Sequence, residues 1–267
     1  MANTNPPIPD LAGKVAIVTG GHTGLGLETS IELAKHGARV YIASRSASKF
    51  NDAKQDIVVE YPDADVRFLS FNLADLSSVK TAAERFLEQE SSLHLLVNNA
   101  GVMCVPYKET VDGFEMQIAV NYIGHFLFTK LLPTIQQTGE SSDIETVRIV
   151  NVSSDGHAKL APKEGIVFSD IKMKDNFSVW ARYGHSKLAN VLHSKELAKR
   201  YSDILSVAVH PGTVKTNLSE GPVSSTPLCR LIKPLVELGA PGPRKRAANL
   251  LFAATSPSLK HESDNGA

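Results

Sequence analysis

Short apolar runs alternate with longer amphipathic stretches along most of the chain. The runs are continuous in apolar character, which is typical of strands buried on both faces of a parallel sheet. The stretches between them have the spacing of helices that pack on such a sheet. The pattern therefore predicts an α/β fold, a doubly wound parallel sheet of Rossmann type with helices on both faces. The six predicted strands are Val15–Val18, Arg39–Ala43, Val66–Leu69, Leu93–Val97, Val147–Val152 and Leu205–Val209.

A glycine-rich turn, Thr19–Gly26, follows the first predicted strand and precedes a helical pattern. Gly20 can turn the chain where a side chain would clash, and Gly24 and Gly26 let a phosphate and the neighbouring strand approach the backbone. The amides and dipole at the start of the helix favour a dinucleotide pyrophosphate. Glycine turns also join strands to helices without any ligand, so this turn alone leaves nucleotide binding open.

The end of the second predicted strand bears on the choice between NAD and NADP. An acidic residue about 20 positions beyond the glycine turn would bind the ribose 2′-hydroxyl of NAD. Ser44 stands 20 positions after Gly24 and is not acidic. The next residue, Arg45, has a guanidinium that suits a 2′-phosphate, so NADP (NADPH) is preferred over NAD. The alternative is a solvated loop arginine, and Thr23 adds no positive charge to the turn.

Amide side chains follow the third and fourth predicted strands. Asn72 could meet the adenine edge or cap the helix that begins near Asp75. Asn98–Gly101 would lie across the sheet from the glycine turn, near the point where strand order reverses and ligands bind. The alternative for this segment is a helix cap rich in asparagine.

Composition narrows the function classes. The chain has 267 residues, enough for one large α/β domain, and we treat 1–267 as a single dinucleotide-binding domain. Lys and Arg together number 28, as do Asp and Glu, which gives no global field for nucleic acid or an anionic membrane. Cys104, Cys229 and the nine histidines show no metal-ligand spacing. We find no secretory signal and no apolar run that would span a membrane, and we expect a cytoplasmic protein.

Several motifs in the right order resemble the short-chain dehydrogenase/reductase family. They are Thr-Gly-x-x-x-Gly-x-Gly at 19–26, Asn-Asn-Ala-Gly at 98–101, a serine after the fifth strand, and Tyr-x-x-x-Lys at 183–187. The segments 148–154 and 185–192 are similar to the branch that contains retinol dehydrogenases and WW-domain oxidoreductases. The likeness covers about residues 11–260, which makes chance agreement improbable.

The resemblance implies a hydride-transferring oxidoreductase with four catalytic residues. Tyr183 would be the general acid and base, and Lys187 would lower its pKa and hold the nicotinamide ribose. Ser154 would donate to the substrate oxygen, and Asn121 would bend its helix and hold a relay water. Spacing alone puts Tyr183 and Lys187 on one helix face. The predicted cofactor-binding residues are Gly20, His22, Thr23, Gly24, Leu25, Arg45, Asn72, Leu73, Asn99, Ala100, Gly101, Tyr183, Lys187, Pro211, Gly212, Val214 and Thr216.

Two segments are candidates for the substrate site. Residues 155–182 form a long connection with aromatic side chains, which either line an apolar substrate pocket or hold the segment to the body. Residues 217–243 carry apolar positions at helical spacing and could cover a hydrophobic ketone, aldehyde or alcohol. Arg244–Arg246 follows them and is either a solvated helix start or a contact with a membrane surface. The motifs do not determine the oligomeric state, and a homodimer is compatible with them.

The end of the chain departs from the family pattern. Residues 265–267 are polar and stand where family members add one more strand, so a seventh strand is expected to be missing or incomplete. This departure keeps a second hypothesis open, a catalytically weak or inactive dinucleotide-binding regulator of the same fold. The intact Ser154, Tyr183 and Lys187 favour the enzyme. A serine hydrolase is disfavoured because the chain has no Gly-x-Ser-x-Gly turn.

Overall fold

A computed structural model of the chain describes residues 7–133, 135, 137, 138, 147–212 and 242–267. Strands in these residues form one parallel sheet in the order β3-β2-β1-β4-β5-β6. This is the strand order of the Rossmann fold, and the predicted doubly wound sheet is confirmed. The strands are β1 Val15–Thr19, β2 Arg39–Ser44, β3 Val66–Ser70, β4 Leu95–Asn98, β5 Arg148–Val152 and β6 Leu205–Val209.

Helices follow the strands, and some of them begin at a residue whose side chain caps the helix. Asp75 caps its helix by accepting from the backbone N–H groups of Ser77 and Ser78. The first helix ends at Lys35, and Gly37 beyond it has a φ of 92°, as the basic last turn and the glycine predict. The helices are α1 Gly24–Lys35, α2 Ala47–Glu60, α3 Leu76–Leu87, α4 Met116–Ile118, α5 Gly124–Lys130, α6 Gly156–Lys159, α7 Val179–Arg200, α8 Pro243–Thr255 and α9 His261–Asp264, with a π-helical turn Ala119–Ile123 between α4 and α5 and a 3₁₀ turn Phe168–Asp170.

Both faces of the sheet are covered by hydrophobic core. Successive residues of β1 point to opposite faces, so Val18 packs in a cluster with Leu33 of α1, whereas Ile17 packs in another cluster with Phe86 and Phe128. All five residues of β1 are buried. The two-sided burial explains why the strands are continuously apolar in sequence.

The carboxyl ends of β1 and β4 meet at the crevice where the strand order reverses. β1 pairs with β2 on one side and with β4 on the other. The chain leaves β1 at Gly20 and leaves β4 at Asn99, so the glycine turn and the segment after β4 face each other there. Ligands bind at this position in open α/β sheets.

The end of the chain lies along the free edge of β6. The N–H of Ala208 donates to the carbonyl of Ala267 at 2.7 Å, and the N–H of Gly266 donates to the carbonyl of Ser206 at 2.8 Å. The part of the chain that the structure describes holds six strands and no separate seventh one. The predicted lid, 217–243, lies outside the described residues except for its last two positions.

Candidate active site

The glycine turn after β1 is too close to its neighbours to carry side chains. Gly20 and Gly24 have φ values of 65° and 57°, in the left-handed region that favours glycine. A Cβ built on Gly26 would lie 2.5 Å from the Gly20 carbonyl oxygen, and one built on Gly20 would lie 3.2 Å from the Ala100 Cα. Thr23 precedes α1 without a side-chain cap, so the first amides of the helix remain available to an anion.

The segment 98–101 is fixed directly to the end of β1. The N–H groups of Asn99 and Ala100 both donate to Thr19 Oγ1 at 2.9 Å, and Asn99 Nδ2 donates to the Thr19 carbonyl at 2.8 Å. Asn98 Nδ2 donates to Asn151 Oδ1 on β5 at 2.9 Å. The two asparagine side chains therefore join strands, and the alternative of a helix cap is wrong.

Basic side chains gather beside the glycine turn. Burial lowers the pKa of His22, and the positive charges of Lys49 and Arg45 lower it further. Both charged side chains are exposed at the start of α2, which begins at Ala47. Lys49 was missed by the sequence analysis, although its place one turn into a predicted helix after Arg45 could have revealed it. The positive potential at the end of β2 suits an anionic group.

The residues that follow β3 have mainly local contacts. Asn72 Oδ1 accepts the Ala74 N–H at 3.2 Å in a turn, and Asp75 rather than Asn72 caps α3. Leu73 is buried, and its side chain would be 2.7 Å from a Cβ built on Gly124. The side chain of Leu25 likewise packs on the core. Leu25, however, is only partly buried.

The predicted bend at Asn121 coincides with the π-helical turn Ala119–Ile123. Its Oδ1 accepts the Val102 N–H at 2.8 Å, and its Nδ2 donates to the Val102 carbonyl and to Ser186 Oγ, both at 2.9 Å. A Cβ built on Gly101 would lie 3.1 Å from Asn121 Oδ1. Asn121 thus connects the segment after β4 with α7, which carries two of the other predicted catalytic residues.

Ser154, Tyr183 and Lys187 converge at the carboxyl end of β5. A Cβ built on Gly156 would lie 3.2 Å from Tyr183 Cε1 and 3.4 Å from Ser154 Oγ, so the two side chains are neighbours, and the Lys187 Nζ lies 5.8 Å from the centre of the Tyr183 ring. Lys187 Nζ donates to the Val152 carbonyl at 2.8 Å and would be 3.7 Å from a Cβ on Gly101. The three predicted catalytic groups therefore share one site next to the crevice.

The pKa values at this site differ from the sequence-based expectation. Burial raises the pKa of Tyr183 to about 12, against the hydrogen bond with Ser154 that favours the phenolate. Burial also lowers the pKa of Lys187 to about 8. The expected lowering of the Tyr183 pKa by Lys187 is wrong for this structure, because the ammonium group binds a backbone carbonyl and desolvation outweighs charge pairing.

Asp155 is a carboxylate beside the predicted catalytic serine that the sequence analysis did not consider. Ser154 Oγ donates to Asp155 Oδ1 at 3.2 Å and accepts the Gly156 N–H at 3.1 Å. The ion pair with Lys159, with Nζ 2.6 Å from Oδ2, holds the pKa of Asp155 below its usual range. The charge of Asp155 in turn contributes to the raised pKa of Tyr183.

A buried arginine is one of the residues that hold the long connection 155–182 in place. Arg182 Nη1 donates to the carbonyls of Phe177 at 2.8 Å and Met173 at 3.3 Å, and its Nε lies 3.7 Å from Glu115 Oε1. Phe168 is 84% exposed, so it does not pin the connection to the core. The charged pair, which helical spacing and composition gave no reason to expect, contributes to that role.

The loop after β6 is described only at its start. Pro211 is buried, and Gly212 has a φ of 82°. A Cβ on Gly212 would clash with the Arg246 guanidinium, with Nη1 only 2.3 Å away. Val214 and Thr216 lie outside the described residues. Arg244–Arg246 does lie in the first turn of a helix, α8, as one interpretation predicts; contact with a membrane stays a prediction.

Comparison with known proteins identifies the family. A family model described as short chain dehydrogenase matches residues 14–225. The chain belongs to this family. The short-chain dehydrogenase/reductase drtF of Aspergillus calidoustus is 45% identical over 269 residues, covering 95% of this chain and 83% of that protein. Retinol dehydrogenase 12 of Mus musculus is 41% identical over 244 residues, covering 91% and 73%.

A solved member of the same fold agrees with the sheet topology. The Pseudomonas aeruginosa RhlG/NADP active-site complex superposes with a TM-score of 0.71 at 23% identity, covering 96% of this chain and 95% of that one. The resemblance read from the motifs is therefore confirmed at the level of family and fold. As a short-chain dehydrogenase, the chain belongs to a family of oxidoreductases that use a nicotinamide dinucleotide.

None of the helices in the described residues of this short-chain dehydrogenase combines the length and the apolar character needed to cross a bilayer. The cytoplasmic location stays a prediction.

Proposed function

We propose that this short-chain dehydrogenase is an NADP(H)-dependent enzyme that transfers a hydride between the nicotinamide and a carbonyl or alcohol carbon of a hydrophobic small molecule. The observation that carries the proposal is the convergence of Ser154, Tyr183 and Lys187 beside Gly101. A protein that only bound a dinucleotide would have no need for a serine, a tyrosine and a lysine brought together at this point. The bound cofactor would supply the hydride, and the protein would supply orientation and one proton.

Each of the four residues has a role that its contacts support. Tyr183 gives a proton to the substrate oxygen in reduction and accepts one in oxidation. Ser154 donates a hydrogen bond to the same oxygen as negative charge develops there, which requires its hydroxyl to turn away from Asp155. Lys187 holds the nicotinamide ribose. Asn121, in the π-helical turn beside Gly101, connects Lys187 to solvent through water.

The crevice fits a dinucleotide with a 2′-phosphate. The start of α1 suits the pyrophosphate, because no side chain caps it and its first amides can bind an anion. The exposed Arg45 and Lys49 suit the 2′-phosphate. The remaining binding residues we propose are His22, Thr23, Leu25, Asn72, Leu73, Asn99, Ala100, Gly101, Pro211, Gly212, Val214 and Thr216.

The hydrophobic character of the substrate rests on the segments around the site and on the relatives. Residues 155–182 adjoin Ser154 and Tyr183, and we propose that they form one wall of the pocket, with 217–243 as its cover. Several relatives are named retinol dehydrogenases, and retinol is an apolar alcohol. An apolar aldehyde, ketone or alcohol is therefore the substrate class that we propose.

A series of straight-chain aldehydes and ketones tests this function. Each methylene group buried in the pocket contributes about 0.8 kcal/mol, so kcat/KM for NADPH oxidation should rise about fourfold per methylene until the pocket is full. The measurement is loss of NADPH absorbance with each compound, against a reaction without carbonyl. NADPH binding, seen by its fluorescence, without oxidation by any compound would instead support a dinucleotide-binding regulator. Equal kcat/KM for compounds of all chain lengths would contradict the apolar pocket but not the oxidoreductase activity.

The two reaction directions should differ in their dependence on pH. Because the pKa of Tyr183 is raised to about 12, the phenol is protonated at neutral pH, which is the form that carbonyl reduction needs. The phenolate needed for oxidation grows about tenfold per pH unit below that pKa. We expect kcat/KM for alcohol oxidation to rise from pH 7 towards pH 8 and to level off above it, where Lys187, with a pKa of about 8, loses its proton. Reduction should be level and then fall as Lys187, with a pKa of about 8, loses its proton. Parallel profiles in the two directions would contradict these assignments.

A further inference from the structure

Thr19, the last residue of β1, has more hydrogen-bonding neighbours than a free hydroxyl usually finds. Its Oγ1 accepts the N–H groups of Asn99 and Ala100, each at 2.9 Å. It also lies 2.9 Å from His125 Nε2 and 3.4 Å from the Val97 carbonyl oxygen. Thr19 is fully buried, so water does not enter this set of contacts.

The donors and acceptors around Thr19 determine where its proton points. A hydroxyl has one proton and two lone pairs, and the two backbone N–H groups occupy both lone pairs. The proton must therefore go to His125 Nε2 or to the carbonyl of Val97. The histidine nitrogen is 0.5 Å closer (2.9 against 3.4 Å) and is the better acceptor by distance.

The same contacts assign the tautomer of His125. If Nε2 accepts the Thr19 proton, the ring carries its own proton on Nδ1. Nδ1 lies 3.2 Å from the backbone carbonyl oxygen of Asn121, to which it can donate. Burial and the nearby positive charges of Lys187 and His193 disfavour a second proton and lower the pKa of His125 to about 3, against the bond to Asn121. The imidazole is neutral and fixed in one tautomer.

We infer that His125 is a positioning residue that couples the dinucleotide-binding segment 98–101 to the π-helical turn at Asn121. By taking the Thr19 proton, it leaves both lone pairs of Thr19 for the amides of Asn99 and Ala100. Through Nδ1, it holds the carbonyl of Asn121. This inference rests on the proposed function only in taking 98–101 as part of the dinucleotide site.

Two substitutions test the two ring nitrogens of His125 separately. The amide of glutamine ends near the position of Nε2 and can accept the Thr19 proton, whereas that of asparagine ends near Nδ1 and cannot reach Thr19. We expect His125→Gln to bind NADPH within about twofold of the unmodified protein. His125→Asn should raise the Kd about threefold to tenfold, the value of one hydrogen bond. Kd is measured by NADPH fluorescence at one salt concentration.

A double-mutant cycle distinguishes coupling from packing. His125→Phe should raise the Kd about threefold to tenfold in the unmodified protein but less than twofold in the Thr19→Val background, where no hydroxyl remains to orient. Equal effects in both backgrounds, or equal Kd values for His125→Gln and His125→Asn, would overturn the inference.

The same cycle can be measured without any dinucleotide. Denaturant unfolding of the four proteins should show the same coupling between Thr19 and His125, since both residues are buried and in contact. If the unmodified protein binds neither NADPH nor NADH, the proposed function fails, while the unfolding cycle still decides whether His125 and Thr19 act together. Additive unfolding free energies would overturn the coupling.

Discussion

Tyr183→Phe should abolish most turnover and leave the dinucleotide site intact. The substitution removes the hydroxyl on which Ser154 acts and keeps the ring of a residue that is only 4% exposed. Loss of a general acid costs about 10²-fold to 10⁴-fold in kcat. The Kd for NADPH should change by less than about twofold. Steady-state kinetics with the best carbonyl substrate and fluorescence titration with NADPH measure the two quantities.

A matched control is available on the surface. Tyr61, at the end of α2, donates to Glu60 Oε1 at 2.8 Å and has no contact with the site, so Tyr61→Phe should leave kcat unchanged. A kcat of the Tyr183→Phe protein within threefold of the unmodified value would contradict the role of general acid that we assign to Tyr183. Loss of NADPH binding together with kcat would indicate general damage to the crevice and would likewise contradict the assignment.

The fold could be predicted from the sequence because strands that are buried on both faces are continuously apolar. Every predicted strand is present, and most bounds agree within one residue. β4 begins at Leu95 rather than the predicted Leu93, where the backbone N–H bonds instead to the Thr138 side chain at 3.0 Å. Apolar character reports burial, whereas a strand is defined by its pairing, so the two diverge at strand ends.

The site could be predicted only where local spacing or a known motif carries it. Tyr183 and Lys187 share a helix turn, and their side by side position follows from the sequence. The contact of Thr19 with His125 joins residues 106 positions apart and has no local pattern. The buried pair of Arg182 and Glu115 is equally non-local.

The direction of the Tyr183 pKa shift could not be predicted from the sequence at all. It depends on how far the phenol is buried and on where the Lys187 ammonium finds its acceptor, and both are properties of the folded chain. The sequence indicates which charges are near in principle. The balance between desolvation and charge pairing is set by packing. The four-residue spacing of Tyr183 and Lys187 was therefore insufficient to predict the direction of the pKa shift.

Arg45→Ala should convert a preference for NADPH into near indifference between the two dinucleotides. A charge-assisted, bidentate bond from a guanidinium to a phosphate contributes about 1.5–3 kcal/mol, or about tenfold to 150-fold in affinity. NADH lacks the 2′-phosphate, so its Kd should change by less than about threefold. The exposed position of Arg45 makes damage to the fold improbable as a cause, because the side chain contributes nothing to the core. The measurement is the ratio of Kd values for NADH and NADPH.

Lys49→Ala provides the matched comparison, since both side chains act on His22 from the same end of β2. A lysine offers a point charge without the planar fork, and its removal should raise the Kd for NADPH by less than that of Arg45. Raising the salt concentration should weaken the binding of NADPH more than that of NADH in the unmodified protein, and this difference should be smaller in Arg45→Ala, where only Lys49 remains. An equal loss for NADH and NADPH in Arg45→Ala would show that Arg45 supports the crevice in general, and the 2′-phosphate would then need another partner.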